Sequence, residues 1–130
     1  MANLPKFNMS TSNLPIALAD ICIFQGATFN QTLFYETGEP SAPVNLSGYT
    51  AKMHIRSKPE SKALILELST DNGRITLNET TGSINLFISA SDTALLSVCD
   101  KAVYDLELYN GAVTTRILQG NVIISPEVTR

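Results

Sequence analysis

Between Tyr49 and Arg56 the side chains alternate without interruption. Tyr49, Ala51, Met53 and Ile55 form one set, and Thr50, Lys52, His54 and Arg56 the other. A period of two assigns the sets to opposite faces of a pleated strand. The apolar face lines a core. The polar face carries two permanent positive charges and belongs in water or against a partner. The preceding Val44-Asn45-Leu46-Ser47-Gly48 is a turn, and short segments of the same kind recur after it, separated by turn residues. A chain built this way folds as an all-β domain.

Taken in order, residues 1–18 are rich in Asn, Ser, Thr and Pro and show no clean period, so they predict an extended N-terminal arm. Its spaced apolar residues Leu4, Phe7, Leu14 and Ile16 are the candidate anchors onto a neighbouring subunit. Residues 19–130 form a single β-sandwich domain. Ala19 to Phe24 is a first strand, Gln25-Gly26-Ala27 a turn or bulge, and Thr28 to Tyr35 a second strand. Two prolines and a glycine between Thr37 and Pro43 predict a loop without a ladder. Further strands are expected over Ala63–Ser69, Arg74–Leu77 and Ser83–Ile88, with Asp71-Asn72-Gly73 a turn. Ser89 or Ser91 caps a single helical turn whose Leu95 and Leu96 close one end of the core. Asn110-Gly111 joins Ala102–Tyr109 to Ala112–Gln119 as a hairpin, Gly120 allows a kink, and Ser125-Pro126 ends the ladder. Eight or nine short strands with one helical turn predict an antiparallel β-sandwich, Ig-like or small and barrel-like.

At 130 residues the chain suits one domain. A net charge of −3, with nine scattered lysines and arginines, argues against nucleic acid, which selects basic stripes. Charged residues make 16% of the chain, below the roughly 25% of an average soluble domain. That scarcity suits a surface partly covered by neighbours. No segment reaches the roughly 20 apolar residues of a membrane span, and the first residues lack a charged leader. Cys22, between Ile21, Ile23 and Phe24, is expected as a small buried hydrophobe, and with Cys99 as a reduced structural thiol.

Little here points to catalysis. His54 is the sole histidine, placed mid-strand between Lys52 and Arg56, with no Gly-x-Ser-x-Gly elbow elsewhere. Asp105 and Glu107 share a strand face, as a glycosidase pair would, yet the same pair is expected on any wetted strand face. Asp71-Asn72-Gly73 lacks the further oxygen ligands of a calcium loop. One histidine and two distant cysteines leave no zinc set. No catalytic, cofactor-binding or metal-binding residue is therefore assigned. Phe29, Phe34, Tyr35 and Tyr49 offer an alternative, a carbohydrate- or surface-binding face, weakened by the lack of tryptophan.

Several pieces stand in a recognisable order. They are Phe24-Gln25-Gly26-Ala27-Thr28-Phe29, then Val44 through Arg56, then Tyr104-Asp105-Leu106-Glu107-Leu108, and last Gly120 through Ser125-Pro126-Glu127-Val128-Thr129-Arg130. In these the chain resembles small structural proteins of tailed bacteriophages and, more loosely, the N-terminal β domain of phage upper baseplate proteins. The resemblance spans about residues 21–130 and leaves the arm uncovered. It implies a virion component made in the bacterial host cytoplasm, an adaptor or attachment subunit of tail, baseplate or neck. It also implies no catalysis and no cofactor. Its implied partners are other phage structural proteins and copies of itself, with neither nucleic acid nor membrane. The chain ends at Arg130 without the C-terminal rod of the upper baseplate proteins, which favours an adaptor, plug or capsid decoration role over a fibre.

Overall fold

The computed structural model describes residues 6–8 and 17–130. Its strands are β1 (Lys6–Asn8), β2 (Ala17–Leu18), β3 (Ile21–Phe24), β4 (Phe29–Thr37), β5 (Ala42–Pro43), β6 (Thr50–Arg56), β7 (Leu66–Ser69), β8 (Ile75–Leu77), β9 (Ser83–Ile88), β10 (Cys99–Asn110) and β11 (Val113–Ser125), with a helical turn α1 (Ala90–Thr93). They form two sheets. The first has the order β1-β4-β9-β8, with β5 paired to the end of β4. The second has the order β2-β11-β10-β6-β7, with β3 also paired to β11. This is the strand order of a variable-type immunoglobulin-like sandwich, so the expected all-β sandwich is the fold. Its N-terminal strands depart from antiparallel pairing: β1 runs parallel to β4, and β2 and β3 run parallel to β11.

The alternation that announced β6 holds in three dimensions. Ala51, Met53 and Ile55 are buried, facing the interior shared with Leu33 and Tyr35 of β4, Ile84, Leu86 and Ile88 of β9, and Tyr104, Leu106 and Leu108 of β10. Early in β11 the period breaks. Leu106 pairs with Leu118 but Glu107 pairs with Arg116, which leaves Ile117 as an extra residue. This bulge turns both Ile117 and Leu118 inward and keeps Arg116 and Gln119 outward.

Some local expectations are corrected. Ala42–Pro43 pairs with Glu36 and Thr37, so the proline-rich loop closes a small ladder of its own. Pro43 fits because it occupies the second and last residue of a minimal strand. The strand expected from Ala63 starts at Leu66, and Leu64 is exposed. Leu96 closes the core while Leu95 is 83% exposed, because the turn after α1 presents only one of two adjacent side chains inward. Cys22 is exposed, since β3 buries Ile21 and Ile23 and turns the alternate positions outward. Both cysteines are free.

Gly120 has a sharper role than a kink. A Cβ there would collide with the carbonyl of Ala19, whose oxygen also accepts a hydrogen bond from Tyr104 Oη at 2.6 Å. The missing side chain lets the β2–β3 segment cross close to β11, and burial beside Asp20 raises the Tyr104 phenol pKa far above its usual value.

Candidate interaction surfaces

Three regions bear on function: the arm, the end of the sandwich where the quoted motifs meet, and the outer face of the second sheet. Of the arm anchors, Leu4, Leu14 and Ile16 lie outside the described residues. Phe7 lies in β1, in register with Tyr35 of β4.

The motif end is a lock between three segments. The Gln25 side chain donates from Nε2 to the Leu96 carbonyl at 2.9 Å and accepts from the Glu127 backbone N–H at 3.1 Å. Gly26, at φ 84°, donates its N–H to Thr93 Oγ1 at 3.1 Å, and that hydroxyl donates to the Ala27 carbonyl at 2.8 Å. Thr93 is fully buried, so these bonds satisfy a hydroxyl that would otherwise lie unpaired in the core. Ser89 caps α1 by accepting from the Asp92 N–H, and Asp92 accepts from Arg74 at 2.9 Å. The Arg74 hydrogen bond, with help from Ser89, holds the Asp92 carboxyl below its usual value. The two motifs at opposite ends of the domain sequence thus meet through the Gln25 side chain and the Glu127 backbone.

The outer face of the second sheet is different. Cross-strand register sets Glu67, His54, Asp105 and Gln119 in one row, and Ser69, Lys52, Glu107 and Arg116 in the next. His54 Nε2 lies 2.8 Å from Glu67 Oε2, and Arg56 Nη2 lies 3.3 Å from His54 Nδ1. The tautomer with its proton on Nε2 satisfies both contacts. That hydrogen bond, before the charges of Lys52 and Arg74, lowers the Glu67 pKa. Arg116 Nε stands 3.4 Å from Asp105 and 3.6 Å from Glu107. Glu107 also accepts from Tyr109 Oη at 2.9 Å; burial first and this bond second push the Tyr109 phenol up to about 12. Lys52 sits 5.9 Å from the Tyr109 ring centroid and makes no ion pair among the described residues. A hollow of about 700 Å³ opens on this face, lined in part by Asp20, Arg56, Val103, Asp105 and Asn121.

The titratable groups of this face are engaged with one another. His54 is half-buried and committed on both nitrogens, rather than solvated as its polar neighbours suggested. Asp105 and Glu107 share one arginine, Arg116. Asn72 Oδ1 accepts from the backbone of Ser69 and Arg74, so Asp71-Asn72-Gly73 is a turn built by its own side chain. The aromatics weighed as an alternative stacking face are mostly core residues: Tyr35 is buried, and Phe29 and Tyr49 pack against the core. Among the described residues there is no group of three potential metal ligands, and no helix long and apolar enough to cross a membrane.

No protein-family model matches the chain, and none of the curated proteins matches it. Among solved structures it is similar to the N-terminal domain of phage TP901-1 ORF48, at 14% identity and a TM-score of 0.50. That similarity covers 93% of this chain and 97% of the phage domain. A chicken TCR structure matches at 16% identity and a TM-score of 0.49, over 85% of this chain and 54% of that one. The phage resemblance read from the motifs is thus met by a phage domain that shares this fold over nearly its whole length.

Proposed function

We propose that the chain is a non-catalytic structural subunit of a bacteriophage particle, an attachment domain of tail, baseplate or neck. The observation that carries this reading is the fold shared end to end with an N-terminal domain of a phage protein. Two features support it. The Gln25 side chain and the Gly26 and Glu127 backbone N–H groups, all within the phage-like motifs, help hold the sandwich together, as expected where the fold itself is what is inherited. The single histidine and the paired carboxylates are tied into cross-strand bonds and leave no acid–base pair to act on a substrate. Partners are then other particle proteins and further copies of the chain, reached through the N-terminal arm and the charged sheet face.

Mass spectrometry of purified particles, with the copy number per particle, tests the reading. Detection at a fixed number matching tail or neck symmetry is the expected result. A number in the hundreds would move the protein to capsid decoration. Absence from the particle would overturn the proposal.

A further inference from the structure

We infer that the outer face of β6 and β10 binds the same face of a second copy, in a two-fold dimer whose axis runs along the strands. The strand register and the charges on it favour such a dimer whether or not the chain belongs to a phage.

On this face β6 presents Lys52, His54 and Arg56, and its neighbour β10 presents Val103, Asp105 and Glu107. One column is basic or neutral, and the next is acidic at the two positions opposite Lys52 and His54. Two sheets packed face to face with nearly aligned strands have two simple two-fold arrangements. An axis across the strands would keep β6 over β6 and β10 over β10. That sets Asp105 against Glu107 and Lys52 against His54, so the carboxylates repel. An axis along the strands, midway between β6 and β10, exchanges the columns and keeps the rows. Lys52 then lies over Glu107 of the second copy and His54 over Asp105, each contact made twice. Arg116 comes over β7 of the second copy, beside Ser69 and Glu67. The pattern therefore favours one geometry and opposes the other, which is how charge gives specificity.

Of these groups Lys52 is the one available for a new ion pair. Lys52 has Glu107 directly across the strand yet rests against the Tyr109 ring, without an ion pair among the described residues. The contact is small. Four strands spaced ~4.8 Å apart and seven residues long give a footprint of roughly 450 Å², below the ~800 Å² per partner of a standard interface. A polar contact of that size is weak and wet, so the dimer dissociates at micromolar concentration and weakens with salt.

The test is sedimentation of the full chain at several hundred micromolar, in low and high salt, with charge-reversed variants. The wild type is expected to dimerise reversibly in low salt, with at least tenfold weaker association in high salt. Lys52→Glu and Glu107→Lys should each be monomeric, because each sets like charges together twice. Mixed one to one they should form a heterodimer, since both contacts become opposite in sign, and the double variant should dimerise with itself. Glu107→Lys also loses Arg116 and Tyr109 contacts within the chain; should it fail to fold, Lys52→Glu alone decides. Its salt dependence should invert, association rising as salt screens the introduced carboxylate from Glu107. A wild type that stays monomeric, or a dimer indifferent to Lys52→Glu, overturns the inference.

Discussion

The two outer faces of this sandwich cover one shared core, and they are chemically unlike. On the first sheet the outward residues of β4, β9 and β8 are Asn30, Thr32, Phe34, Glu36, Ser83, Asn85, Phe87 and Thr76, and the single charge among them, Glu36, stands near the end of β4 and accepts from Ser41 Oγ. Asn85 Nδ2 bonds Asn30 Oδ1 at 2.8 Å and Thr32 Oγ1 at 3.1 Å, a small amide–hydroxyl cluster that is complete within the sheet. On the second sheet the same positions hold two rows of charged and titratable groups. Neutral amide clusters tie strands together but carry no sign to sort partners by. Fixed charges in register do carry one, and here the sign alternates from strand to strand.

The comparison should be confined to the outside, and the largest effects test that. Leu106→Ala beneath the charged face and Ile84→Ala beneath the amide face should each cost about 2–5 kcal/mol, because both empty fully buried positions of one core. Denaturant melts of the two variants check it. A large loss for one and a trivial loss for the other would mean that the sheets do not share a core.

Next come the supports of the charged sheet. Gly120→Ala should cost about 1–3 kcal/mol by overpacking, with faster hydrogen exchange in residues 17–24 and 117–124, since the Ala19 backbone must move. Thr93→Val, which strips the partners from the Gly26 N–H and the Ala27 carbonyl, should cost about 1–3 kcal/mol. Thermal melts of both variants give the comparison.

Acid should separate the faces more finely. Glu67 and Asp92 are held below their usual values in the folded chain, so the unfolded chain binds more protons in that window. Their contribution is present above the ordinary carboxylate pKa values of 4.5 and 3.8, and it is lost as the pH falls through the lower folded ones. Glu67→Gln should flatten the acid limb of a stability–pH curve, whereas Asn85→Ala should shift the curve without changing its shape. Arg116→Gln is the smallest effect, below about 1 kcal/mol, because its ion pairs are half exposed.

How much of this could be read from the chain depends on the region. Strands β6 and β10 were legible because period-two patterning and the Asn110-Gly111 turn are local properties. The sandwich followed from counting such segments. The parallel edges, the burial of Ile117 beside Leu118 and the outward Cys22 were not legible. Each depends on which strand lies alongside, and an isolated segment carries no record of its neighbour. The candidate face was half legible. Thr50 to Arg56 and Asp105 with Glu107 were visible as polar faces, but only the register places Lys52 opposite Glu107 and Arg116 beyond it. The lock between Gln25 and Glu127 joins residues 102 apart, with no spacing rule to announce it.

The most direct test of a recognition face set against a passive one is a dilution series of amide spectra of the full chain in low salt. Concentration-dependent shifts should fall on residues 50–56 and 103–109 and disappear in high salt, while residues 29–34 and 83–88 stay unchanged. Shifts on the amide face, or on neither face, would contradict the account.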